Sequence, residues 1–258
     1  MNHSSNIVVA EPRTYRSYAD HDVFTNFRVV VDTSDLYIKA LSNLEDQAKA
    51  FVMECRAQIE DSITRRRKFL TSFDPIDANP LDSSTPTRMI QAAKKAGVGP
   101  MAAVAGAVAE FVGRNLLLFS REIVVENGGD IFVHVNRPIV IGVYAGTSPI
   151  SDKIGIKIGP TAMPLGICTS SAKVGPSTSL GRADAATVVS YDVSLADAVA
   201  TGLGNRITSA RNMKSAVEWA MNIDGVLAAL VIFEDKLAIS GEIELTPVDH
   251  SDGLPSRT

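Results

Sequence analysis

The sequence predicts an α+β fold, a mostly antiparallel sheet covered by helices. Three observations carry this. The hydrophobic period switches near residue 41 from a strand pattern to three- and four-residue helical steps. Four short strands in the middle of the chain follow one another too closely for helical crossovers. Strand-strand-helix-helix order appears early and something similar appears late, so a duplicated core is an open expectation.

Residues 13–40 read as strands, because TNFRVVV and SDLYIKA are rich in β-branched and aromatic residues and DTSD supplies a turn. Leu41, Leu44, Ala48, Phe51, Val52, Cys55, Ile59 and Ile63 then form one apolar stripe on a long helix. Its start is acidic, and Arg65-Arg66-Arg67-Lys68 complements the dipole at its end or grips phosphate. Residues 74–87, with three prolines, read as a loop. A short helix over residues 89–95 stops at GVGP, and Pro100 opens an Ala-rich helix over 101–118. Strands are expected at residues 122–126, 130–135, 139–144, 154–158 and 187–192. Residues 194–204 and 213–221 read as helices, and 226–233 and 237–245 as closing strands.

The 258 residues are 45% hydrophobic and 21% charged, which excludes a disordered chain. A single domain is expected over residues 13–245, between flexible segments at 1–12 and 246–258, with 74–87 as the place where two lobes would join. Twenty-five Lys and Arg against 29 Asp and Glu give a net charge of −4, which argues against a nucleic-acid or anionic-membrane partner. The start of the chain has no signal-peptide pattern, and no apolar run approaches the roughly 20 residues of a membrane span. With two cysteines, Cys55 and Cys168, the expected compartment is the reducing cytoplasm. Sheet edges that need covering point to a homo-oligomer.

Polar and glycine-rich chemistry concentrates in three places. GVGPMAAVAG (residues 97–106) opens a helix, where exposed N–H groups attract anions or small residues simply allow close packing. VENGGD (125–130) sets Asn127 and Asp130 around Gly128-Gly129, either as a plain hairpin turn or as a place where backbone approaches a ligand and both side chains bond a base or ribose. Residues 166–205 begin with a hydroxyl-rich loop holding Thr169, Ser170, Ser171, Ser177, Thr178 and Ser179, which can take phosphate. Further on, Asp197 and Thr201 lie four apart on one helical face, a spacing from which both oxygens can ligate magnesium or serve the helix itself. His3, His21, His134 and His250 have no metal-binding spacing, Cys168 reads as a small buried residue, and Asp184 beside Arg182 as an ion-paired structural carboxylate.

GPMAAVAG, VENGGD, GICTSS and ADAVAT occur in this order, with RTYR at 13–16 and DTSDLYI at 32–38. Together they resemble the ApbE-like superfamily over residues 11–245, with the nearest match in an uncharacterised branch. The resemblance implies a T-fold-like architecture. The ApbE flavin transferases use FAD and magnesium to attach FMN to a Thr or Ser of a partner protein. Their ADAxxT helix implies magnesium at Asp197 and Thr201, completed by the backbone carbonyl of Ala102 or Ala103. Their flavin site implies Gly128 and Gly129, with Asn127 and Asp130 beside them, and their TSG turn corresponds to Thr169-Ser170-Ser171. Two positions differ. Val104-Ala105-Gly106 stands where the transferases carry a lysine motif, and no histidine lies between His134 and His250.

The first functional expectation is therefore a protein, a transferase if it is an enzyme, that binds a flavin- or nucleotide-like small molecule (FAD or FMN) with magnesium. With no histidine in place, its acid or base would be Asp130 or Glu126. The second is a binding protein without transfer chemistry. The third, by fold analogy, is a pterin or one-carbon-cofactor enzyme with Glu126 as ring anchor.

Overall fold

The computed structural model describes residues 24–160, 163–172 and 180–248, so RTYR, the hydroxyls at 177–179, His3, His21 and His250 lie outside the described residues. Strands β1 (Thr25–Val31) and β2 (Ser34–Ala40) pair as a hairpin whose turn holds Asp32 at φ 51°. Helix α1 (Glu45–Arg65) buries Ala48, Val52, Cys55 and Ile59, the stripe that the periodicity indicates. It ends inside the basic run, where Arg66 turns extended before the short α2 (Arg67–Thr71). Arg66 pairs with the buried Asp82, and Arg65 donates to the Leu81 carbonyl. The run thus clamps its own downstream loop.

Helix α3 (Ser84–Ala96) begins within the stretch read as loop. Pro86 lies in its first turn, where a missing N–H leaves no bond unmade. Gly97, at φ 68°, ends it, and a 3-10 turn over Pro100–Ala103 leads into α4 (Val104–Leu116). The remaining elements are β3 (Ile123–Asn127), β4 (Asp130–His134), β5 (Ile139–Gly142), β6 (Ile154–Ile158), β7 (Leu165–Ser170), β8 (Ala185–Ser190), α5 (Val193–Arg206), α6 (Met213–Met221), β9 (Val226–Phe233), β10 (Lys236–Gly241) and β11 (Glu244–Pro247).

Eight strands form one sheet in the order β1-β2-β3-β4-β7-β8-β9-β10, and β11-β6-β5 form a second. Every pairing is antiparallel. The middle strands of the large sheet are buried on both faces, while β1 and β10 at its edges are partly exposed. Leu36, Ile38, Phe132, Cys168, Val188 and Val231 point into a core shared with the helices. Val124, Val133, Leu165, Ile167, Leu230 and Ile232 point into a second core beneath the three-stranded sheet.

Two sequence expectations need correction. GICTSS is not a loop: Thr169 and Ser170 end the central strand β7. A strand buried on both faces has no polar alternation, so its apolar run leaves no period to read. Residues 237–245 are not one strand either. The chain turns at Gly241, φ 102°, and β11 leaves β10 to pair with β6.

Among the described residues no single helix is long and apolar enough to cross a membrane. Helices α3 and α4 stand against β3, β4 and α5 and are largely buried. The α4–sheet contact is tight at Gly113, where an added Cβ would stand 2.1 Å from the Phe132 ring. Phe132 is fully buried. Gly113→Ala is expected to lower stability by about 1–3 kcal/mol through overpacking. Urea unfolding with an unchanged m-value checks this, and an unaltered midpoint would refute the contact.

Candidate functional site

The β3–β4 connection is a two-residue turn with Gly128 at φ 70° and Gly129 at φ 107°. Both central positions need positive φ, which explains two successive glycines. The turn sets Asn127 opposite Asp130 on the helix-covered side of the sheet. Asn127 Nδ2 donates to the Ala105 carbonyl of α4 at 3.1 Å, so the hairpin is tied to the start of that helix.

Helix α5 begins where Asp192 accepts a hydrogen bond from the Leu195 N–H at 2.9 Å. One turn later Asp197 is buried against α4 and accepts the Gly106 N–H at 2.8 Å. Residue 106 must lack a side chain here, since a Cβ would stand 2.7 Å from the Val193 carbonyl and 2.8 Å from Asp197 Cβ. GVGPMAAVAG therefore does two things: it packs closely, and it aims backbone N–H groups at a carboxylate of the protein itself. Burial pushes the Asp197 carboxyl up to about 7, against the N–H groups of Gly106 and Ala105, which hold it down. Asp130 is also buried and is pushed well above the usual carboxylate range, by burial first and then by the charge of Asp197. Asp130 Oδ1 is buried with no hydrogen-bond partner. The Cys168 thiol beside it is raised by burial and by Asp130, and donates to the Val193 carbonyl at 3.5 Å. That makes Cys168 a poor nucleophile.

These groups meet in a cavity of about 520 Å³. Asn127, Gly128, Asp130, Thr169, Ser170, Ser171, Asp197, Thr201 and Ala102 all line it. Thr169 Oγ1 also shares a hydrogen bond of 2.9 Å with Thr187 Oγ1. Gly129 does not line it but opens on a smaller cavity of about 60 Å³ with Ile131 and Tyr144. Glu126 falls outside both: it stands opposite Ile131 in the strand register, and its Oε1 accepts the Gly129 N–H at 3.1 Å. Glu126 thus stays out of the cavity, although after burial and Asp197 its charge also raises the Asp130 carboxyl. Asp184 is buried on β8's approach and accepts the Glu234 N–H at 2.5 Å, while Arg182 stands over the Phe233 ring.

Sequence reasoning missed the other wall of the cavity. Thr33, Ser34 and Asp35 come from the β1–β2 turn, and Arg56, Ile59 and Glu60 from α1. The first group reads as turn chemistry and the second as the side of an amphipathic helix. No spacing reveals that α1 lies back across that turn. The Arg56/Glu60 pair at four-residue separation is the one available signal.

The donor set suits a hard divalent cation. Asp197 and Thr201 are one turn apart, the Ala102 segment is beside them, and Asp130 contributes a buried oxygen with no partner. Among the described residues no group of three or more His, Cys, Asp or Glu is arranged to hold a metal. Two carboxylates with hydroxyl and carbonyl oxygens match magnesium, which keeps waters or phosphate oxygens, better than a transition metal.

Known proteins agree with this architecture. A family model described as AbpE bacteria matches residues 16–245. A UPF0280 protein of Methanothrix thermoacetophila is 41% identical over 199 residues, covering 76% of this chain and 83% of its own. One from Methanocella arvoryzae is 41% identical over 202 residues, with coverages of 78% and 82%. Among solved structures, flavin transferase ApbE from Vibrio cholerae superposes with a TM-score of 0.56 at 14% identity, covering 84% of this chain and 96% of that one. Pseudomonas stutzeri flavinyl transferase ApbE gives 0.55 at 11% identity, with coverages of 84% and 94%. At such identities the likeness is one of fold.

A carboxyl whose pKa folding raises favours the folded state while protonated. Its contribution is full below the unfolded pKa, about 3.9, and is lost as pH rises through about 7. Asp197→Asn removes the charge but keeps an acceptor for Gly106. In the presence of chelator it is expected to raise stability at pH 8, by on the order of a few kcal/mol, and to change little at pH 4. Thermal unfolding at the two pH values checks this. Equal effects at both would rule out burial of the charge as the cause.

Proposed function

As the chain belongs to the AbpE bacteria family, together with the UPF0280 proteins, we propose that it binds a flavin- or nucleotide-like small molecule together with magnesium in the 520 Å³ cavity. The observation that carries this reading is the buried, partnerless Asp130 Oδ1 next to a second buried carboxylate, Asp197. Two such groups cost stability unless protons or a cation balance them. Asp197, Thr201 and the Ala102 carbonyl would hold the ion, which supplies positive charge for phosphate or ring oxygens. Gly128 lets the hairpin backbone approach the ligand, and Asn127 holds the hairpin to α4. Ser170 and Ser171 line one wall, together with Thr169, whose own hydroxyl is shared with Thr187. Asp130, whose carboxyl burial and then Asp197 raise well above the usual range, would serve as the proton-holding group beside the ion.

The aliphatic Val104-Ala105-Gly106 at the cavity favours binding without flavin transfer, since no side chain there can carry a charge or a proton. Cys55 and Cys168, both free and buried, support a reducing, cytoplasmic setting.

The test is a thermal-shift titration with FAD, FMN, a pterin and GTP, each with and without magnesium. At about 100 times its dissociation constant a ligand stabilises the fold by roughly 2.7 kcal/mol. A magnesium-dependent shift that Asp197→Ala abolishes is expected for at least one of them. A shift of equal size in the variant would overturn the metal assignment, and the absence of any shift would overturn the ligand class.

A further inference from the structure

Among the described residues that line the cavity, Arg56 is the one cation. Its side chain is 19% exposed and is held from four directions. NH1 donates to Thr33 Oγ1 and to Ser34 Oγ at 3.2 Å each, and NH2 lies 2.9 Å from Glu60 and 3.2 Å from Asp32. A lone guanidinium at a nucleotide-like site first suggests a phosphate contact. Charge argues otherwise. Asp35 is taken by Arg28, at 2.7 and 3.0 Å, and the one guanidinium at this end, Arg56, already faces two carboxylates, Glu60 and Asp32. An added anion would meet a net negative surface.

The same groups suit a neutral, polar edge. Each hydroxyl accepts from Arg56 and therefore keeps its own proton to donate. These hydroxyl donors stand beside one carboxylate acceptor, Glu60. A donor beside an acceptor complements a ring edge on which a C=O stands next to an N–H, as in a lactam or imide. Beside it Ile59, Ile63, Val104 and Val108 supply an apolar wall against which a flat ring can lie. The far end, with Asp130, Asp197 and Thr201, is where a cation and its phosphate belong.

Building on the ligand reading above, we propose that the Ser34 and Thr33 hydroxyls, positioned by Arg56, are the specificity element of the cavity and read the carbonyl edge of a planar, uncharged heterocycle. The geometry assigns the two ends of the ligand to opposite ends of the cavity: ring to the β1–β2 turn and α1, phosphate and cation to α5.

The test uses the full chain with magnesium and four probes: FMN and GTP, whose rings carry carbonyls, ATP, whose ring carries none, and inorganic pyrophosphate. Arg56→Met should weaken FMN or GTP about tenfold or more, leaving ATP and pyrophosphate unchanged. Arg56→Lys should remain weak, since it restores charge without the planar fork. Ser34→Ala, which leaves the ion pairs intact, should weaken the same probes in the same order, and far-ultraviolet circular dichroism confirms that the variants fold. Equal losses for all four probes in Arg56→Met would place Arg56 on phosphate and overturn the proposal. Unchanged binding in both Arg56→Met and Ser34→Ala, where Asp197→Ala still abolishes it, would overturn the proposal alone. A wild-type chain that binds none of the probes would overturn the ligand reading and this proposal together.

Discussion

Gly106 is the point on which the site depends. Helix α4 approaches α5 so closely there that its backbone N–H reaches Asp197 at 2.8 Å, with no room for a Cβ between them. This contact lets a carboxylate lie inside the core. A buried charge that accepts backbone N–H groups is tolerable, whereas one without them would stay protonated or would not be buried at all. Asp130 faces the same problem, and burial followed by the charge of Asp197 drives its carboxyl well above the usual range.

Everything around the pair serves to hold it. The middle of the eight-stranded sheet is covered on both faces, by helices on one and by β5, β6 and β11 on the other, so strands β4 and β7 at its centre are rigid supports. The Gly128-Gly129 turn brings Asp130 to the lip of that support. The Asn127–Ala105 bond then ties the lip to the same helix that holds Asp197. Two carboxylates from distant parts of the sequence are thereby fixed by rigid elements rather than by loops, the arrangement that suits a preorganised site.

The cavity that results is asymmetric. Its inner end is oxygen-rich and buried, and its outer end combines a fully balanced guanidinium with aliphatic side chains of α1 and α4. Such a division matches a ligand with a charged part and a flat, weakly polar part. Of the basic run at Arg65–Lys68, which on sequence alone competes as a phosphate grip, Arg65 and Arg66 are engaged with their own chain through the Leu81 carbonyl and Asp82.

The sequence by itself determined the α+β class, the α1 stripe, both early strands and the glycine turn, because each rests on local period or turn chemistry. It also placed Asp197 and Thr201 on one face of a helix, since four-residue spacing is a local fact. Only the tertiary structure decided that GICTSS is a central strand, that residues 237–245 divide between two sheets, and that Glu126 does not line the cavity. It alone brought Arg56, Thr33 and Ser34 to the cavity. The physical reason is the same in each case. A strand buried on both faces loses its alternation, and contacts between residues far apart in the chain leave no period along it to read.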